Sequence, residues 1–454
     1  MARSLIRTSL LAAWTAVFAA ISPAGEPPTP VSLRTERRPG AVDRVEVILE
    51  AAGDLLLSPE WKKAEKLKMS AAGTLHYDEM SLDVSQQAGR ALRSIRYYDK
   101  AEAVLTVGED QSQPRLRDQR RLIGAEIDGA AVTLFSPLGT LTADELELID
   151  VLGNSLALDM LLPDHRVAVG GTWKHSDKAM SALCDLDSVS RNDVQSTLAS
   201  LDDAMARVEM SGALAGTSRG LATSIELKAK YRFDRRVGRI TWLGMLVKQS
   251  RAAGAVVPGL NAVARLQVTV EPIQESKHLT EAALQDVSPI PTEPLKLVSY
   301  ESPDGTWRVD HDRRWEVTTQ RGNTATLRMA DRGLSLAQCK ISGLSRSGEA
   351  GAPPSLADFQ ADIQRALGKQ FGQFLQASQS TNPADYRVYR VVVQGKVSDV
   401  PVQWMYYMLG DKLGRRLVLV FNLRADMLDR FANADQQLVN ALRFVDHQVA
   451  AKRN

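Results

Sequence analysis

The sequence predicts an α+β fold in two parts, an N-terminal antiparallel β-rich domain followed by a C-terminal α/β sandwich. Short runs of alternating apolar and polar residues dominate residues 43–273 and indicate a half-barrel or a sheet with a covering helix. Residues 297–446 instead follow the order strands, helix, strands, helix, which is typical of helices packed on a sheet. Between the two parts, residues 274–296 hold three prolines within six positions, which predicts a linker.

The N-terminus has the form of a secretory signal peptide, assigned to residues 1–24. Arg3 and Arg7 precede a 12-residue apolar run at 10–21, and Ser22-Pro23-Ala24 offers a cleavage site with small residues. The run is shorter than the roughly 20 residues of a membrane span. We therefore expect an extracytoplasmic protein, periplasmic or secreted, with no transmembrane span after cleavage. An uncleaved signal anchor is the alternative, and residues 25–42 are expected to form a flexible lead.

Charge and cysteine content argue against several function classes. The chain has 56 basic and 54 acidic residues, and removal of residues 1–24 leaves 54 of each. A chain without net charge has no global field for nucleic acid, so we expect no nucleic-acid partner. Cys184 and Cys339 lie in apolar contexts on opposite sides of the linker and are predicted to be buried free thiols, with a bridge between them as the alternative. No metal-ligand spacing is present, and we expect neither a metal nor a cofactor.

A helix is predicted from Thr142 to Leu162. Thr142 and Glu145 match a capping box, apolar residues then recur at helical spacing, and Pro163 ends the pattern. The acidic residues of this helix are interpreted as a solvated face rather than as a paired-carboxylate site. Before the helix, Asp128-Gly129 between two apolar runs predicts a β-hairpin.

Four strands are predicted in sequence between residues 204 and 272. In the third, both faces carry apolar residues, with Trp242 and Leu246 on one of them, so we expect something to cover the sheet on both sides. The predicted helix is the candidate cover. The residues proposed to line an apolar ligand site between helix and sheet are Leu146, Ile149, Trp242 and Leu246.

One motif resembles a catalytic element. Gly216-Thr217-Ser218-Arg219-Gly220 matches the nucleophile elbow of serine hydrolases, which requires a strand that turns into a helix. Here period-two alternation follows Gly220, so the loop is predicted to join two strands. The six histidines show no spacing of a metal site or catalytic motif. We therefore assign no catalytic residue and expect no enzyme.

Residues 43–273 resemble the lipoprotein carriers typified by LolA. The resemblance is one of architecture and pattern, a strand-rich half-barrel or sheet wrapped on a helix in a secreted chain. In those proteins an acyl chain lies between a curved sheet and helical lids, and the resemblance implies a similar ligand site.

The part after the linker resembles the PsbP-like fold, which occurs in photosystem extrinsic proteins, Ran-binding Mog proteins and bacterial envelope proteins. The resemblance covers residues 297–446, with 447–454 as a tail, and rests on WEVTTQRGNTATLRMADRGLSLAQCKIS and LVLVFNLRADMLDRFANADQQLVNALRFV. Its first predicted helix begins at Ser355 and carries an apolar stripe as far as Phe374. Members of this fold bind different partners, and no functional residue of any member is matched here.

Three functional hypotheses follow. The first is a non-catalytic cell-envelope binding or assembly protein that acts through partner contacts of its two domains. The second is a carrier or sensor of an apolar, lipid-like ligand held by the N-terminal domain. The third is a hydrolase with dispersed catalytic residues, which predicts a cleft holding a serine or carboxylate beside a base.

Overall fold

The computed structural model describes residues 29–57, 66–83, 91–344 and 354–445. The predicted signal peptide, the first residues of the lead and the tail 447–454 lie outside the described residues. Within the described ranges, the chain is mostly β-sheet, with sheets of 13, 4 and 7 strands. Among the strands that the structure describes, all pairs are antiparallel except one, which joins the two parts of the chain.

The 13-stranded sheet is formed by residues before the linker. Its strands are β1 (Val42–Leu56), β2 (Lys66–Asp83), β3 (Leu92–Val107), β4 (Asp110–Ser112), β5 (Leu122–Asp128), β6 (Ala131–Phe135), β8 (Thr172–Lys174), β9 (Ser188–Asn192), β10 (Gln195–Leu201), β11 (Met205–Ser218), β12 (Leu221–Asp234), β13 (Arg239–Arg251) and β14 (Gly259–Ile273). The main path is β6-β5-β3-β2-β1-β14-β13-β12-β11-β10-β8, with β4 beside β3 and β9 beside β11.

The alternation of the sequence explains the two faces of this sheet. In β12 every second residue from Leu221 to Phe233 is buried, while the residues between them are exposed. Both predicted hairpins are confirmed. The hairpin at Asp128-Gly129 joins β5 to β6, with Gly129 and Ala130 as the turn residues. Arg219-Gly220 joins β11 to β12 with both residues at positive φ, as a tight two-residue turn requires.

Two short helices, α1 (Ala143–Ile149) and α2 (Asp177–Cys184), cover one face of the large sheet. The capping box of Thr142 and Glu145 is confirmed. The helix predicted to reach Leu162 is, however, shorter: it ends at Ile149, Gly153 adopts a φ of +77°, and Ser155–Leu161 forms a separate 3₁₀ segment. The break begins at the C-cap Asp150, whose backbone leaves the helical region, and Gly153 turns the chain before the 3₁₀ segment.

The residues after the linker build the 7-stranded sheet and most of the 4-stranded one. The strands are β7 (Leu141–Thr142), β15 (Val298–Glu301), β16 (Trp307–His311), β17 (Trp315–Arg321), β18 (Thr324–Asp331), β19 (Leu334–Leu344), β20 (Phe371–Thr381), β21 (Arg387–Val397), β22 (Val400–Gly410), β23 (Arg416–Arg424) and β24 (Leu442–Phe444). The orders are β17-β18-β19-β23-β22-β21-β20 and β24-β16-β15-β7.

The helices of this part are also short. They are α3 (Glu281–Leu284) in the linker, α4 (Leu356–Leu367), α5 (Leu428–Phe431) and α6 (Ala434–Ala441). The stripe predicted to continue to Phe374 stops at Leu367, because Gly368 leaves the helical region and residues from Phe371 onward pair with β21. The helix predicted at the C-terminus is divided at Ala432, whose φ is +50°.

The predicted fold class is therefore wrong. The chain is not an α+β protein divided into a β-rich domain and an α/β sandwich, but a mostly antiparallel β protein without two clear domains. Helical stripes in the sequence end early as turns or strands, since pairing within the sheets outweighs local helix propensity.

Contacts cross the linker at several points. Strand β7, from before the linker, pairs in parallel with β15 after it. Arg313 donates from Nη2 to the carbonyl of Leu134 at 2.7 Å and from Nε to the carbonyl of Lys296 at 2.7 Å. Within the linker, Leu279 is 2 % exposed and packs with Ile95 and Leu122 of the large sheet. The two parts are therefore in direct contact.

The segment predicted as a flexible lead also has an ordered section. Val31 forms a bridge with Val167, and Leu33 is fully buried in the core of the large sheet. Arg37 forms buried ion pairs with Asp43, at 3.4 Å, and Asp159, at 3.3 Å. These contacts attach residues 31–37 to the rest of the molecule.

Candidate functional site

A cavity of about 530 Å³ lies between the large sheet and α1. Its floor is the inward face of three neighbouring strands, where small and apolar side chains alternate with outward-facing residues. Those floor residues are Val47 and Leu49 of β1, Ala71, Gly73 and Leu75 of β2, and Ala103 and Leu105 of β3. Because three of the seven are alanine or glycine, the floor leaves space that larger residues would fill.

The opposite wall comes from α1 and the end of α2. Leu148, Val151 and Leu152 supply its apolar part, together with Cys184. The position of α1 is fixed by Glu145, which accepts two hydrogen bonds from the Arg117 guanidinium, each of 2.6 Å, as well as the capping bond from Thr142. These bonds, with burial opposing them, hold the pKa of Glu145 below its ordinary value.

Carboxyl groups line the same wall. Asp144, Glu147 and Asp150 of the α1 segment and Asp185 after α2 all face the cavity. Burial and the neighbouring Asp185 raise the pKa of Asp150 to about 7. Burial also raises the pKa of Asp185, although its side chain is accessible from the cavity. The acids of this helix were interpreted from the sequence as a solvated face. Asp144 and Glu147 are indeed exposed, but they and the half-buried Asp150 also line the cavity.

Arg251 is the cation of the cavity lining. It donates from Nη2 to the carbonyl of Pro258 at 3.2 Å. Its buried Nε has no hydrogen-bond partner within the described ranges. Burial, with the nearby Arg219, lowers the pKa of Arg251. Four carboxyl groups against one guanidinium make the lining acidic.

A crevice of about 10 Å³ adjoins the cavity at its inner end. Val47, Leu75, Asp150 and Val151 line both spaces, so the crevice and the cavity are adjacent. The further lining of the crevice is more polar and includes Tyr77, Arg96, Tyr98 and Asn154.

The four residues predicted to line a ligand site do not meet in the cavity. Ile149 is 2 % exposed and lines the crevice, while Leu146 is half-buried against the core. Trp242 and Leu246 lie on the opposite face of the sheet, where Leu246 is 42 % exposed and Trp242 packs against the Arg232 guanidinium. The helices α1 and α2 cover the inward face of the sheet, where β13 carries Leu243, Met245 and Val247.

The sequence contained a signal for the cavity floor that the prediction missed. In β2, the inward positions 71 and 73 are alanine and glycine, whereas inward positions 75 and 77 are leucine and tyrosine. Small residues at consecutive inward positions indicate a sheet face that a covering helix cannot fill. Only the three-dimensional arrangement shows which side chains stand opposite them.

The remaining chemical groups are mostly buried, and two of them, Ser218 and Cys184, also line the cavity. Ser218 of the elbow-like motif lies in the β11–β12 hairpin, as predicted. His175 contacts the Ser196 hydroxyl at 2.8 Å, but both side chains are buried, and burial lowers the pKa of His175 to about 4. Cys184 and Cys339 are buried free thiols, as predicted. The described residues contain no group of three or more potential metal ligands.

Comparisons with known proteins give a weak resemblance in fold. No family model and no curated protein matches the chain. Cyanobacterial PsbP (CyanoP) from Synechocystis sp. PCC 6803 is 10 % identical over 33 % of this chain and 92 % of its own, with a TM-score of 0.27. The Ran-binding protein Mog1p of Saccharomyces cerevisiae is 10 % identical over 34 % of this chain and 97 % of its own, with a TM-score of 0.26.

A third structure, from Bacteroides thetaiotaomicron VPI-5482, is 8 % identical over 33 % of this chain, with a TM-score of 0.26. The match spans about half, 49 %, of that protein. These similarities concern the fold of about a third of the chain. Separately, no helix in the described ranges is both long and apolar enough to cross a membrane.

Proposed function

We propose that this chain is a non-catalytic extracytoplasmic protein that binds an apolar, lipid-like ligand as a carrier or sensor. The observation that supports the proposal is the cavity of about 530 Å³ with an apolar floor on β1, β2 and β3. Its volume lies within the roughly 300–1,000 Å³ that small-molecule sites occupy. An apolar ligand there would gain about 25 cal/mol for each Å² of apolar surface removed from water.

The extracytoplasmic location rests on residues 1–24. Their basic start, short apolar run and small residues support export, and the ligand hypothesis suits a compartment where lipid-like molecules cross an aqueous space. The non-catalytic assignment is a prediction from the sequence. Ser218 and four carboxyl groups line the cavity, but no histidine is among its described lining residues, and the buried contact between His175 and Ser196 lies outside it.

We infer that the PsbP-like resemblance belongs to residues 297–446 and the LolA-like resemblance to residues 43–273. The order of strands and helices supports the first, and a sheet with helices over a cavity supports the second. Partner binding by the part after the linker remains a prediction from the sequence.

Gly73→Leu tests the proposed function directly. A Cβ at Gly73 points toward the cavity and meets only Ala103 Cβ at 3.5 Å and the Glu102 carbonyl at 3.7 Å, both ordinary contacts. The variant should therefore fold while its side chain occupies ligand space. Overlap in a packed site costs about 1–3 kcal/mol, so we expect affinity for an apolar probe to fall about 5- to 150-fold.

The measurement is fluorescence titration of the purified full chain with N-phenyl-1-naphthylamine. Ala72→Leu is the matched control, because Ala72 is adjacent on the same strand but exposed on the opposite face. Wild-type protein that does not bind the probe would contradict the proposal. Equal affinities of Gly73→Leu and Ala72→Leu would place the bound probe elsewhere and contradict it as well.

A further inference from the structure

The crevice at the inner end of the cavity holds a buried polar group without a partner. Tyr98 is 1 % exposed, and its hydroxyl lies close to the Arg96 guanidinium but makes no hydrogen bond of ordinary geometry to any described residue. Leaving a buried hydroxyl unpaired destabilises a fold, which makes such a group rare in a native protein. The crevice is therefore a place where a hydrogen-bonding group from outside the chain would be stabilised.

Two neighbouring polar groups of the crevice, Arg96 and Tyr77, already have hydrogen-bond partners within the protein. Arg96 donates from Nε to Glu79 at 2.8 Å and from Nη2 to Asn154 and Ser155. Tyr77 contacts the Ser155 hydroxyl at 2.8 Å. Both side chains are thus engaged within the protein.

Asp150 is the second available group. Its backbone N–H caps α1 by donating to the carbonyl of Leu146, but its carboxyl makes no hydrogen bond or ion pair within the described ranges. It lines both the crevice and the cavity, so a ligand that passes from one to the other meets it. The crevice thus presents one phenol hydroxyl and one carboxyl group.

We propose that the crevice is a polar subsite in which Tyr98 and Asp150 bind the terminal hydroxyl of a long-chain, uncharged ligand. This inference rests on the proposed function, since the rest of the ligand would occupy the apolar cavity. A volume of about 10 Å³ holds one group of the size of a water molecule. That size suits a primary hydroxyl and is too small for a carboxylate or phosphate.

The charges favour the same ligand class. Asp144, Asp150 and Asp185 repel an anionic head group, whereas Glu147 is paired with Arg219, and Arg96, the cation beside the crevice, is already bound to Glu79. A hydroxyl can donate to the Asp150 carboxylate and accept from, or donate to, the Tyr98 hydroxyl. A fatty alcohol should therefore bind more tightly than the fatty acid of equal length.

The test measures displacement of N-phenyl-1-naphthylamine from the full chain by 1-decanol, decanoate and decane at pH 8. We expect 1-decanol to bind most tightly of the three. Tyr98→Phe should weaken 1-decanol about three- to tenfold and leave decane unchanged, since it removes one hydrogen bond and no apolar area. Tyr231→Phe is the control, because Tyr231 is equally buried but bonds to the Leu161 carbonyl and Ser196 outside the cavity.

Each of the other outcomes contradicts a different part of the proposal. If no probe or competitor binds, the proposed function itself fails. If 1-decanol and decane bind equally and Tyr98→Phe changes neither, the cavity binds apolar ligands but the crevice holds only water, and the subsite is overturned. Tighter binding of decanoate that is lost in Arg251→Met would place the polar end at Arg251 and overturn the subsite as well.

Discussion

Asp150→Asn should stabilise the protein at alkaline pH and not at acidic pH. The pKa of Asp150 is raised from its ordinary 3.8 to about 7, first by burial and then by the charge of Asp185. The folded state therefore holds the proton more tightly than the unfolded chain does. Stability is then greatest below about pH 4, falls as the pH rises, and reaches its lower value above about pH 7.

The size of the effect follows from the same values. The difference between 3.8 and about 7 corresponds to at most about 4 kcal/mol, at about 1.36 kcal/mol for each pKa unit. Asp150 is only half-buried beside a cavity, and solvent screening reduces the expected gain of Asp150→Asn at pH 8 to about 1–3 kcal/mol. Arg313, Arg219 and Arg96 each lower the pKa of Asp150, and the pKa of about 7 already includes their effect.

Urea denaturation of wild type and variant at pH 4, 6 and 8 provides the assay. Asp203→Asn is the control, since Asp203 is exposed and makes no side-chain contact within the described ranges. The gain should grow from about zero at pH 4 to its full value at pH 8. A gain that is absent at pH 8, or that is the same at all three values, would refute the reasoning.

Two further substitutions test the packing around the cavity and between the two parts of the chain. Glu79→Gln should lower the free energy of unfolding by about 3–5 kcal/mol near pH 7, because it leaves the buried Arg96 charge unpaired. Since the pKa of Glu79 is lowered to about 2, this loss should shrink as the pH falls below about 4.5. A loss in urea denaturation that is independent of pH would contradict the prediction. Gly220→Ala should destabilise by at least about 1 kcal/mol more than Gly129→Ala, because both glycines have positive φ but a Cβ at Gly220 would lie 2.6 Å from the Arg332 Cα, whereas Gly129 has open space. Equal thermal shifts for the two alanine variants would show that the β11–β12 hairpin does not press against the turn at Arg332.

Local features of the fold were predictable where one strong rule acted alone. The alternation of β12, the capping box at Thr142 and the Asp128-Gly129 hairpin each depend on neighbours within a few residues, and each is confirmed. The helix boundaries were not predictable in the same way. Phe371 and Phe374 continue the helical spacing of α4, yet pairing with β21 places them in a strand.

The candidate site was less predictable than the fold, because a cavity forms where the elements facing a sheet do not fill the space above it. Trp242 and Leu246 were chosen from the sequence because they are large and apolar. Both lie on the face of the sheet opposite the cavity, so they cannot contact a ligand inside it. The floor consists instead of small residues such as Ala71 and Gly73. Asp150 was seen only as one acid among several on a helix, and its environment depends on Asp185, which lies 35 positions later in the chain.

The charges around Asp150 connect the cavity to the part of the chain after the linker. Arg313 lowers the pKa of Asp150, and Asp150 in turn offsets the burial of Arg313. Arg313 is held by the carbonyls of Leu134 and Lys296, one on each side of the linker prolines. Displacing this arginine would remove a favourable charge near Asp150 and make the charged form of Asp150 less stable. We therefore predict that any contact that displaces Arg313 would change the charge of Asp150, and with it the polarity of the cavity lining.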